Sequence, residues 1–482
     1  MPQKDNDRRV DGGESKGDAT DLQLDREVVM EFGGPLGVTA MMLGFPCLMY
    51  YFWFSLKYHQ GAIFYPTSFD DILPFFQRLS QYFWQSAAPT VWGFQTYGIF
   101  CLISATMAAF MPGPHIKGMP IPSLGGKSLD YTCNGVYSWY LLLVVSIVLH
   151  VTGVFRLTQI IDHFGELMTA AISFGFIITL LTYLFTMFTP VFGKPHRMSG
   201  NIIYDIFMGA PLNPRIGPLD LKLWAEIRVP WIILFYISLS CLLKQYEWLA
   251  RQVLTLESPV RTRTYGFITA PQAFMVLAHV LYVNACQKGE ECIPTTWDIF
   301  YEKWGFMLIF WNLAGVPFTY CMSSLYLSLV LGPISWSTSY TVLCYVVLLA
   351  AYYAWDTTNS QKCRFRMQQR GIYIERKTFP QLPWGTIKNP RYIKTEHGNL
   401  LLTDGWYRYA RKFHYTADLV MALSWGIITG FSSFLPYFYP CFFVFVLTHR
   451  VVRDNERCAK KYGKDWEKYV QTVPYIFIPY VF

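Results

Sequence analysis

Residues 172–192 read ISFGFIITLLTYLFTMFTPVF, an apolar stretch without a charged side chain. An α-helix needs about 20 such residues to cross the hydrocarbon core of a bilayer. Similar stretches recur along the chain at Leu36–Leu56, Val91–Met111, Tyr137–Phe155, Val229–Leu243, Phe274–Cys286, Phe306–Cys321, Ser337–Trp355 and Ala422–Leu447. Only 15% of the residues are charged, against roughly 25% in soluble domains. The sequence therefore predicts an all-α polytopic membrane protein with about ten transmembrane helices.

Charge is distributed unevenly along the chain. Residues 1–31 contain five Lys or Arg and nine Asp or Glu, a net charge of −4, so the total of +8 leaves +12 on the remainder. We expect this acidic tail to be disordered. The basic stretches 356–399 and 449–469 are expected to face the cytosol by the positive-inside rule. Residues 32–228 are predicted to form an N-terminal transmembrane block with a polar connection, and residues 229–482 a C-terminal block.

The eleven cysteines are scattered, and many lie in apolar stretches. Cys286 and Cys292 flank the short polar segment QKGEE, but the sequence contains no C-x-x-C pair or Cys/His quartet. We interpret the cysteines as small buried hydrophobic side chains, and we expect neither a metal site nor a disulfide framework.

The stretch 447–463, LTHRVVRDNERCAKKYG, places an unusual mixture of charges directly after an apolar run. In a helix, side chains three and four residues apart share a face, so Arg450, Asp454, Arg457/Cys458 and Lys461/Tyr462 would fall in one stripe. A basic, water-facing tail explains the lysines but not a carboxyl one turn after an arginine. Lys362 and Arg366 share a face in the same way. Such faces are candidate sites for a negatively charged cofactor.

Polar groups also occur in or beside apolar sequence between residues 290 and 320, where burial is costly and function is the default hypothesis. Asp298 and Glu302 are predicted to share a helix face, and desolvation would keep a carboxyl there protonated as a proton donor. Tyr320 lies near the end of a predicted span. The alternative for these residues is a capped interfacial helix whose acids face water.

Two motifs resemble signatures of the sterol reductase family, namely LTHRVVRDNERCAKKYG and SGNIIYDIFMGAPLNPRIG at 199–217. The similarity extends from EFGGPLG at residue 31 to the C-terminus. Within the family, the stretches GEECIPTTWDIFYEKWGFMLIFWNLAGVPFTYC and DGWYRYARKFHYTADLVMALSW most resemble the fungal sterol C-24(28) reductases. The resemblance implies reduction of a 24-methylene sterol with NADPH, as the last step of ergosterol synthesis in the endoplasmic reticulum membrane. It also implies a cytosol-facing cofactor pocket in the C-terminal block.

The resemblance assigns a set of residues to NADPH binding, position by position along the matching motifs. They are Lys362, Arg366, Leu402, Tyr407, His414, Tyr415, Asp418, Arg450, Asp454, Cys458, Lys461, Tyr462 and Tyr469. The family often has Trp at position 407 and Asn at position 414. Tyr320 resembles a tyrosine proposed as proton donor in the family, and we rank it before Asp298 and Glu302 as the catalytic acid.

Several alternatives stay open at this point. The chain could reduce a C-14 or C-7 double bond, or it could be a non-catalytic sterol-binding member of the same family. A prenylcysteine-type membrane methyltransferase shares a distantly similar C-terminal region, but the basic pair Lys362 and Arg366 suits a phosphorylated dinucleotide better. The expected partners are the sterol and the lipid bilayer, with other sterol-synthesis enzymes as a further candidate class and no nucleic acid.

Overall fold

The computed structural model describes residues 16–254, 267–373, 375 and 380–479. Within these residues, eight helical segments are long and apolar enough to cross a membrane, which confirms the predicted all-α polytopic membrane protein. They are Gly34–Tyr58, Val91–Phe110, Gly135–Thr152, Phe164–Phe188, Leu221–Gln252, Phe306–Leu331, Thr338–Gln369 and Leu435–Tyr462. Apolar side chains on outer faces, such as Val144, Ile147 and Val148, are exposed on the protein and suited to contact lipid.

The helices of the described residues are numbered in chain order. They are α1 Lys16–Arg26, α2 Gly34–Tyr58, α3 Ile72–Ser86, α4 Val91–Phe110, α5 Gly135–Thr152, α6 Gln159–Asp162, α7 Phe164–Phe188, α8 Ile202–Met208, α9 Leu221–Arg228, α10 Pro230–Leu254, α11 Ala270–Lys288, α12 Trp297–Phe300, α13 Phe306–Phe310, α14 Val316–Thr319, α15 Met322–Tyr326, α16 Thr338–Gln369, α17 Phe413–Ile427, α18 Phe438–Tyr462 and α19 Lys464–Thr472. Three small antiparallel hairpins join strands β1 His115–Ile121 and β2 Lys127–Thr132, β3 Arg215–Ile216 and β4 Leu219–Asp220, and β5 Tyr392–Lys394 and β6 Leu400–Leu402.

The predicted number of spans, about ten, is higher than the eight segments that qualify in the described residues. The predicted span Phe274–Cys286 lies in α11, which carries the buried polar residues Gln272, His279 and Gln287 and is less apolar. Part of the predicted span Ala422–Leu447 lies in α17, which has 15 residues and is shorter than a bilayer core. The domain boundary that we placed between residues 228 and 229 falls inside the continuous segment Leu221–Gln252.

The segment Phe306–Leu331 has the largest buried share of the eight and lies at the centre of the protein. It is not a regular α-helix, because π-helical turns occur at Trp311–Gly315 and Leu327–Leu331. Pro317 has no N–H to donate into the first of these turns. Gly315 is required there, since a Cβ atom would lie 2.4 Å from the Trp311 ring. Single π turns inside α-helices are frequent at functional sites.

The acidic N-terminal segment is folded where the structure describes it. Residues 16–26 form α1, with Leu24 7% and Asp25 2% exposed. Asp25 accepts a hydrogen bond from the Ser123 N–H at 3.0 Å and lies 3.6 Å from His196. The predicted disorder of residues 1–31 is therefore wrong for residues 16–31, because tertiary contacts compensate their charges. Residues 1–15 of the predicted tail lie outside the described residues.

A disulfide joins Cys292 and Cys363, whose Cα atoms lie 5.6 Å apart. Our expectation that the cysteines form no disulfide is therefore wrong for this pair. The two residues are 71 positions apart in sequence, so spacing alone gave no signal for them. The bond connects the segment before α12 with the polar end of α16, where Cys363 directly follows Lys362.

Candidate functional site

Basic side chains from three chain segments converge at one end of the protein. Lys362 and Arg366 come from the last turns of α16, Lys412 precedes α17, and Arg450 lies on α18. Lys362 interacts electrostatically with Arg366 and Lys412. His414 lies within electrostatic reach of all four cations. We call Lys362, Arg366, Lys412 and Arg450 the cation cluster; its net positive charge favours an anionic ligand.

Asp454 is the carboxylate that links α18 to this cluster. It forms an ion pair with Lys412 and interacts electrostatically with Lys362 and Arg450. Burial lowers the pKa of Lys412, but the Asp454 carboxylate more than offsets this, so the pKa lies above that of an ordinary lysine. The Lys412 ammonium therefore remains charged. We did not predict Lys412, although it directly precedes the FHYTAD segment that we did assign.

The aromatic residues of the predicted set line the cation cluster. Tyr407 is 2% exposed, packs against Leu402, and has Lys362 Nζ 5.5 Å from its ring centroid. Its hydroxyl lies 3.5 Å from His414 Nδ1. Burial raises the pKa of Tyr407 above its ordinary value, so the phenol stays neutral. Tyr415 follows, with its ring centroid 4.2 Å from that of His414.

Tyr407 reaches this position because the chain approaches α16 closely at Gly405. The backbone of Gly405 has φ +61°, and a Cβ atom would lie 2.3 Å from Gln361 Oε1. That oxygen accepts a hydrogen bond from the Trp406 N–H at 3.0 Å. The Trp406 Nε1–H also donates to Thr357 Oγ1 at 2.9 Å. These bonds fix the turn Gly405–Arg408 on α16.

The end of α18 and helix α19 close the other side of the cluster. Cys458 and Tyr462 pack against Tyr469, and the Tyr462 hydroxyl accepts a hydrogen bond from Asn399 Nδ2 at 3.2 Å. Burial raises the pKa of Tyr469 to about 12, although Lys412 acts in the opposite direction. Lys461 turns away from the cluster and pairs with Asp21 at 2.5 Å.

Asp298 and Glu302, two of the three predicted acids, form ion pairs with arginines of α18. We call α12 and the residues after it, up to Glu302, the rim of the site. Asp298 Oδ2 is 2.7 Å from Arg450 Nη2, and Glu302 Oε1 is 2.9 Å from Arg453 Nη2. A neighbouring guanidinium favours the ionised carboxylate. The structure therefore disfavours the proton-donor role that we predicted for both residues. They also share no helix face, because α12 ends at Phe300.

The N-terminal segment covers the outer face of α18. Glu31 pairs with Arg453 at 2.6 Å and Glu27 with Lys460 at 3.0 Å. Arg457 lies over the rings of Tyr301 and Trp297 at 3.9 and 4.6 Å from their centroids. These contacts explain much of the charge in the 447–463 motif. Only one face of α18, the face with Arg450 and Asp454, contributes to the cation cluster.

The second motif, 199–217, supports this arrangement without reaching the cluster. Asp205 accepts hydrogen bonds from the Ser199 and Gly200 N–H groups at 2.8 and 3.2 Å. A Cβ atom on Gly209 would lie 2.4 Å from the Trp304 backbone, so glycine permits close contact with the segment after α12. The Tyr204 hydroxyl accepts from the Glu31 N–H at 2.8 Å. This motif is therefore a structural element that positions the rim.

Tyr320 lies inside the protein, apart from the cation cluster. It is 5% exposed and stands between the two π turns of the central segment. Its ring centroid is 3.8 Å from that of Tyr439, 6.2 Å from Trp311 and 6.4 Å from Trp231. We call Tyr320, Tyr439, Trp311 and Trp231 the aromatic cluster. Tyr439 and the two tryptophans were not predicted, because their separation in sequence gives no signal.

Helix α17 connects the two clusters. His414 and Tyr415 lie on its first turn beside the cations, and Asp418 lies one turn further along. The ring of Trp425, near the other end, lies 5.1 Å from that of Tyr439. Helix α17 therefore runs from the cation cluster towards the aromatic cluster, and Asp418, which we assigned to the NADPH-binding set, lies between them along the helix.

Comparison with known proteins shows that nearly the whole chain has relatives in sequence. The family described as "Ergosterol biosynthesis ERG4/ERG24 family" matches residues 26–482. The Delta(24(24(1)))-sterol reductase erg4A of Aspergillus fumigatus is 44% identical over 460 residues, 95% of this chain and 94% of that protein. The Delta(24(24(1)))-sterol reductase of Gibberella zeae is 43% identical over 96% of this chain and 74% of that protein. The Delta(14)-sterol reductase of Methylotuvimicrobium alcaliphilum is 34% identical over 94% and 97% of the two chains.

Proposed function

Because the chain belongs to the ergosterol biosynthesis ERG4/ERG24 family, we propose that it reduces the Δ24(24(1)) double bond of a sterol side chain with NADPH. The exocyclic carbon C-24(1) is the carbon also numbered C-28. The identities of 44% and 43% with two reductases of this bond exceed the 34% with a reductase of the Δ14 bond. The relatives are oxidoreductases that act on a C=C bond, and this chain is one as well.

The observation that carries the proposal is the cation cluster beside a buried aromatic interior. NADPH brings a pyrophosphate and a 2′-phosphate, roughly four negative charges at neutral pH. Lys362, Arg366 and Arg450 supply ammonium and guanidinium donors that bind such oxygens. Asp454 pairs with Lys412 and Asp298 with Arg450, so these carboxylates offset two of the cluster's four positive charges and two are left for the ligand.

The aromatic residues suit the remaining parts of the dinucleotide and the sterol. Tyr407 and Tyr415 offer ring faces beside the cations for a planar base. Further inside, the aromatic cluster provides apolar surface for a sterol side chain. Aromatic faces stabilise a cation by about 2 kcal/mol or more when water is absent. This matters because protonation of an unpolarised exocyclic methylene places positive charge on C-24.

The proposed chemistry uses an acid on the protein and a hydride source. Bound NADPH supplies the hydride. We propose that Tyr320, within the aromatic cluster, donates a proton to the exocyclic carbon, as the resemblance implies. Asp298 and Glu302 act at the rim, where they hold Arg450 and Arg453 in position.

The proposed location is the endoplasmic reticulum membrane, with the cation cluster at the cytosolic surface. Eight apolar helical segments in the described residues support a multi-pass protein. The basic loop 356–399 and the end of α18 carry an excess of Lys and Arg, which favours the cytosolic side. The reaction would complete ergosterol synthesis, with the sterol and the bilayer lipids as partners.

The test uses the full-length chain in lipid nanodiscs. It is incubated with a Δ24(24(1)) sterol or a Δ14 sterol, each with NADPH or NADH, and the products are identified by mass spectrometry. We expect reduction of the Δ24(24(1)) sterol with NADPH. Preferential reduction of the Δ14 sterol would show that the Δ14 bond is the one reduced. Reduction with NADH alone would show that the cation cluster does not bind the phosphates of NADPH.

A further inference from the structure

Asp418 differs from the other carboxylates of the site. Asp298, Glu302 and Asp454 each lie in an ion pair with an arginine or lysine. Asp418 is in no ion pair with any residue that the structure describes, although it is only 7% exposed. A buried carboxylate without a cation is unfavourable, and the neutral acid is the form that such surroundings favour.

Hydrogen bonding around Asp418 is incomplete. The Tyr282 hydroxyl of α11 donates to Asp418 Oδ2 at 3.3 Å, and the Trp355 side chain lies against the same carboxyl. The ring centroids of Tyr282 and Trp355 are 4.8 Å apart, so the two side chains support each other. Asp418 Oδ1 has no hydrogen-bond partner within the described part of the chain. A protonated carboxyl can carry its hydrogen on this free oxygen.

Asp418 also lies close to the predicted proton donor. Among the described residues, Asp418 interacts electrostatically with the titratable groups of Tyr320, Tyr439, Cys286 and Tyr282. Trp231 lies between Tyr320 and the hydrogen-bonded pair Asp418 and Tyr282. Its ring centroid is 4.3 Å from that of Tyr282 and 6.4 Å from that of Tyr320. Asp418 therefore lies between the cation cluster and the aromatic cluster.

We propose that Asp418 is the proton reservoir for Tyr320, and that Tyr282 is the positioning residue that holds the Asp418 carboxyl. This inference rests on the proposed function. A carboxyl is a stronger acid than a phenol by roughly six pKa units in water. A phenolate left at Tyr320 would therefore take a proton from a neutral carboxyl more readily than from another phenol.

The proton transfers balance as follows. The O–H bond of Tyr320 breaks, and the alkene electrons form a C–H bond at C-24(1), which leaves a cation at C-24 that accepts a hydride. The Tyr320 phenolate then takes the proton of the Asp418 carboxyl, whose O–H bond breaks. Water later returns a proton to the Asp418 carboxylate, so the enzyme ends as it began.

The first measurement does not depend on turnover. Infrared difference spectra of full-length protein in nanodiscs, wild type minus Asp418→Asn at neutral pH, report a protonated carboxyl. We expect a carboxylic C=O band that Asp418→Asn removes and Tyr282→Phe shifts. Absence of this band in the wild type would overturn the proposal, whether or not NADPH binds.

The second measurement separates the reservoir from a cofactor contact. We expect Asp418→Asn to lower kcat by about tenfold or more, with NADPH affinity within about twofold of wild type and a changed pH profile. Asp418→Glu should restore part of the rate. The double variant with Tyr320→Phe should be no slower than Tyr320→Phe alone, because both act on one proton path. The proposal would be overturned if the two substitutions lowered kcat independently in the double variant, or if Asp418→Asn lost NADPH affinity.

Tyr236→Phe serves as the matched control for loss of a buried tyrosine hydroxyl. Tyr236 is 7% exposed, and its hydroxyl contacts α5, at 2.9 Å from Ser146 Oγ and 3.3 Å from the Leu142 carbonyl. This variant should keep the carboxyl band and the wild-type rate. A shift of the carboxyl band equal to that of Tyr282→Phe would show that the effect is general to buried tyrosines, and would overturn the role of Tyr282.

Discussion

Arg450 Nη2 lies 2.7 Å from Asp298 Oδ2, so a cation of the proposed NADPH site is held by a carboxylate that the sequence presented as a proton donor. The pair joins α18 to α12 across 152 positions of sequence. It makes Asp298 a residue that orients an arginine of the proposed NADPH site. Glu302 pairs in turn with Arg453, on the face of α18 that the N-terminal segment covers.

Removal of the Asp298 charge should therefore leave turnover largely intact. We expect Asp298→Asn to change kcat by less than about threefold, whereas loss of a general acid costs about 10²–10⁴-fold. Steady-state rates at saturating NADPH measure this. The pair is partly exposed, with 38% of the Arg450 side chain and 25% of the Asp298 side chain accessible, so the cost in stability should be about 1 kcal/mol or less. A hundredfold drop in kcat with NADPH affinity unchanged would restore Asp298 as an acid.

Lys412 should be one of the strongest determinants of cofactor affinity. Lys412→Ala removes a cation whose side chain is 12% exposed and leaves Asp454 without its ion-pair partner beside the proposed phosphate site. We expect NADPH affinity to fall by at least about tenfold, or about 1.4 kcal/mol. Titration of the full-length protein by isothermal calorimetry measures it. Lys464→Ala, at an exposed lysine of α19, is the matched control; an equal loss in both variants would mean that only net charge matters.

The end of α16 should select the phosphorylated dinucleotide. We expect the double variant Lys362→Ala/Arg366→Ala to weaken NADPH binding by at least about tenfold more than NADH binding, because only NADPH carries a 2′-phosphate. Arg364→Ala is the control, since Arg364 lies on the same helix but bonds Thr386 Oγ1 at 2.8 Å. Equal weakening of both dinucleotides would remove Lys362 and Arg366 from the 2′-phosphate.

Tyr320→Phe should separate chemistry from binding. Tyr320 is 5% exposed within the aromatic cluster and apart from the cation cluster. Loss of its hydroxyl should slow reduction by about 10²-fold, while NADPH affinity stays at the wild-type value. Single-turnover kinetics together with a binding titration check both halves of this expectation. Unchanged turnover would show that the Tyr320 hydroxyl does not donate the proton.

The parts of this account that follow local periodicity were predictable from the sequence. Apolar stretches of helix length gave the membrane spans, and the four-residue spacing of Arg450, Asp454, Cys458 and Tyr462 gave one face of α18. The residues of 402–418 were assigned through the resemblance; of these, Tyr407 has Lys362 Nζ 5.5 Å from its ring centroid, and His414 lies within electrostatic reach of Lys362 and Arg366.

The parts that depend on tertiary contacts were not predictable. Lys412 meets Asp454 across 42 positions, and Cys292 meets Cys363 across 71. The acidic segment that we predicted to be disordered is held by Arg453 and Lys461. Asp298 and Glu302 were read as interior acids because a sequence shows which polar groups adjoin apolar stretches but not which arginines approach them.

The most direct test of the central claim follows isotopes through one turnover. Full-length protein in nanodiscs is given a Δ24(24(1)) sterol and NADPH that carries deuterium at the transferable position of the nicotinamide, in ordinary water. The account predicts a single deuterium at C-24 of the product and ordinary hydrogen added at C-24(1). In heavy water with unlabelled NADPH, the label should instead enter at C-24(1). Deuterium from the nucleotide at C-24(1), or none in the sterol at all, would contradict proton donation from the protein interior followed by hydride addition.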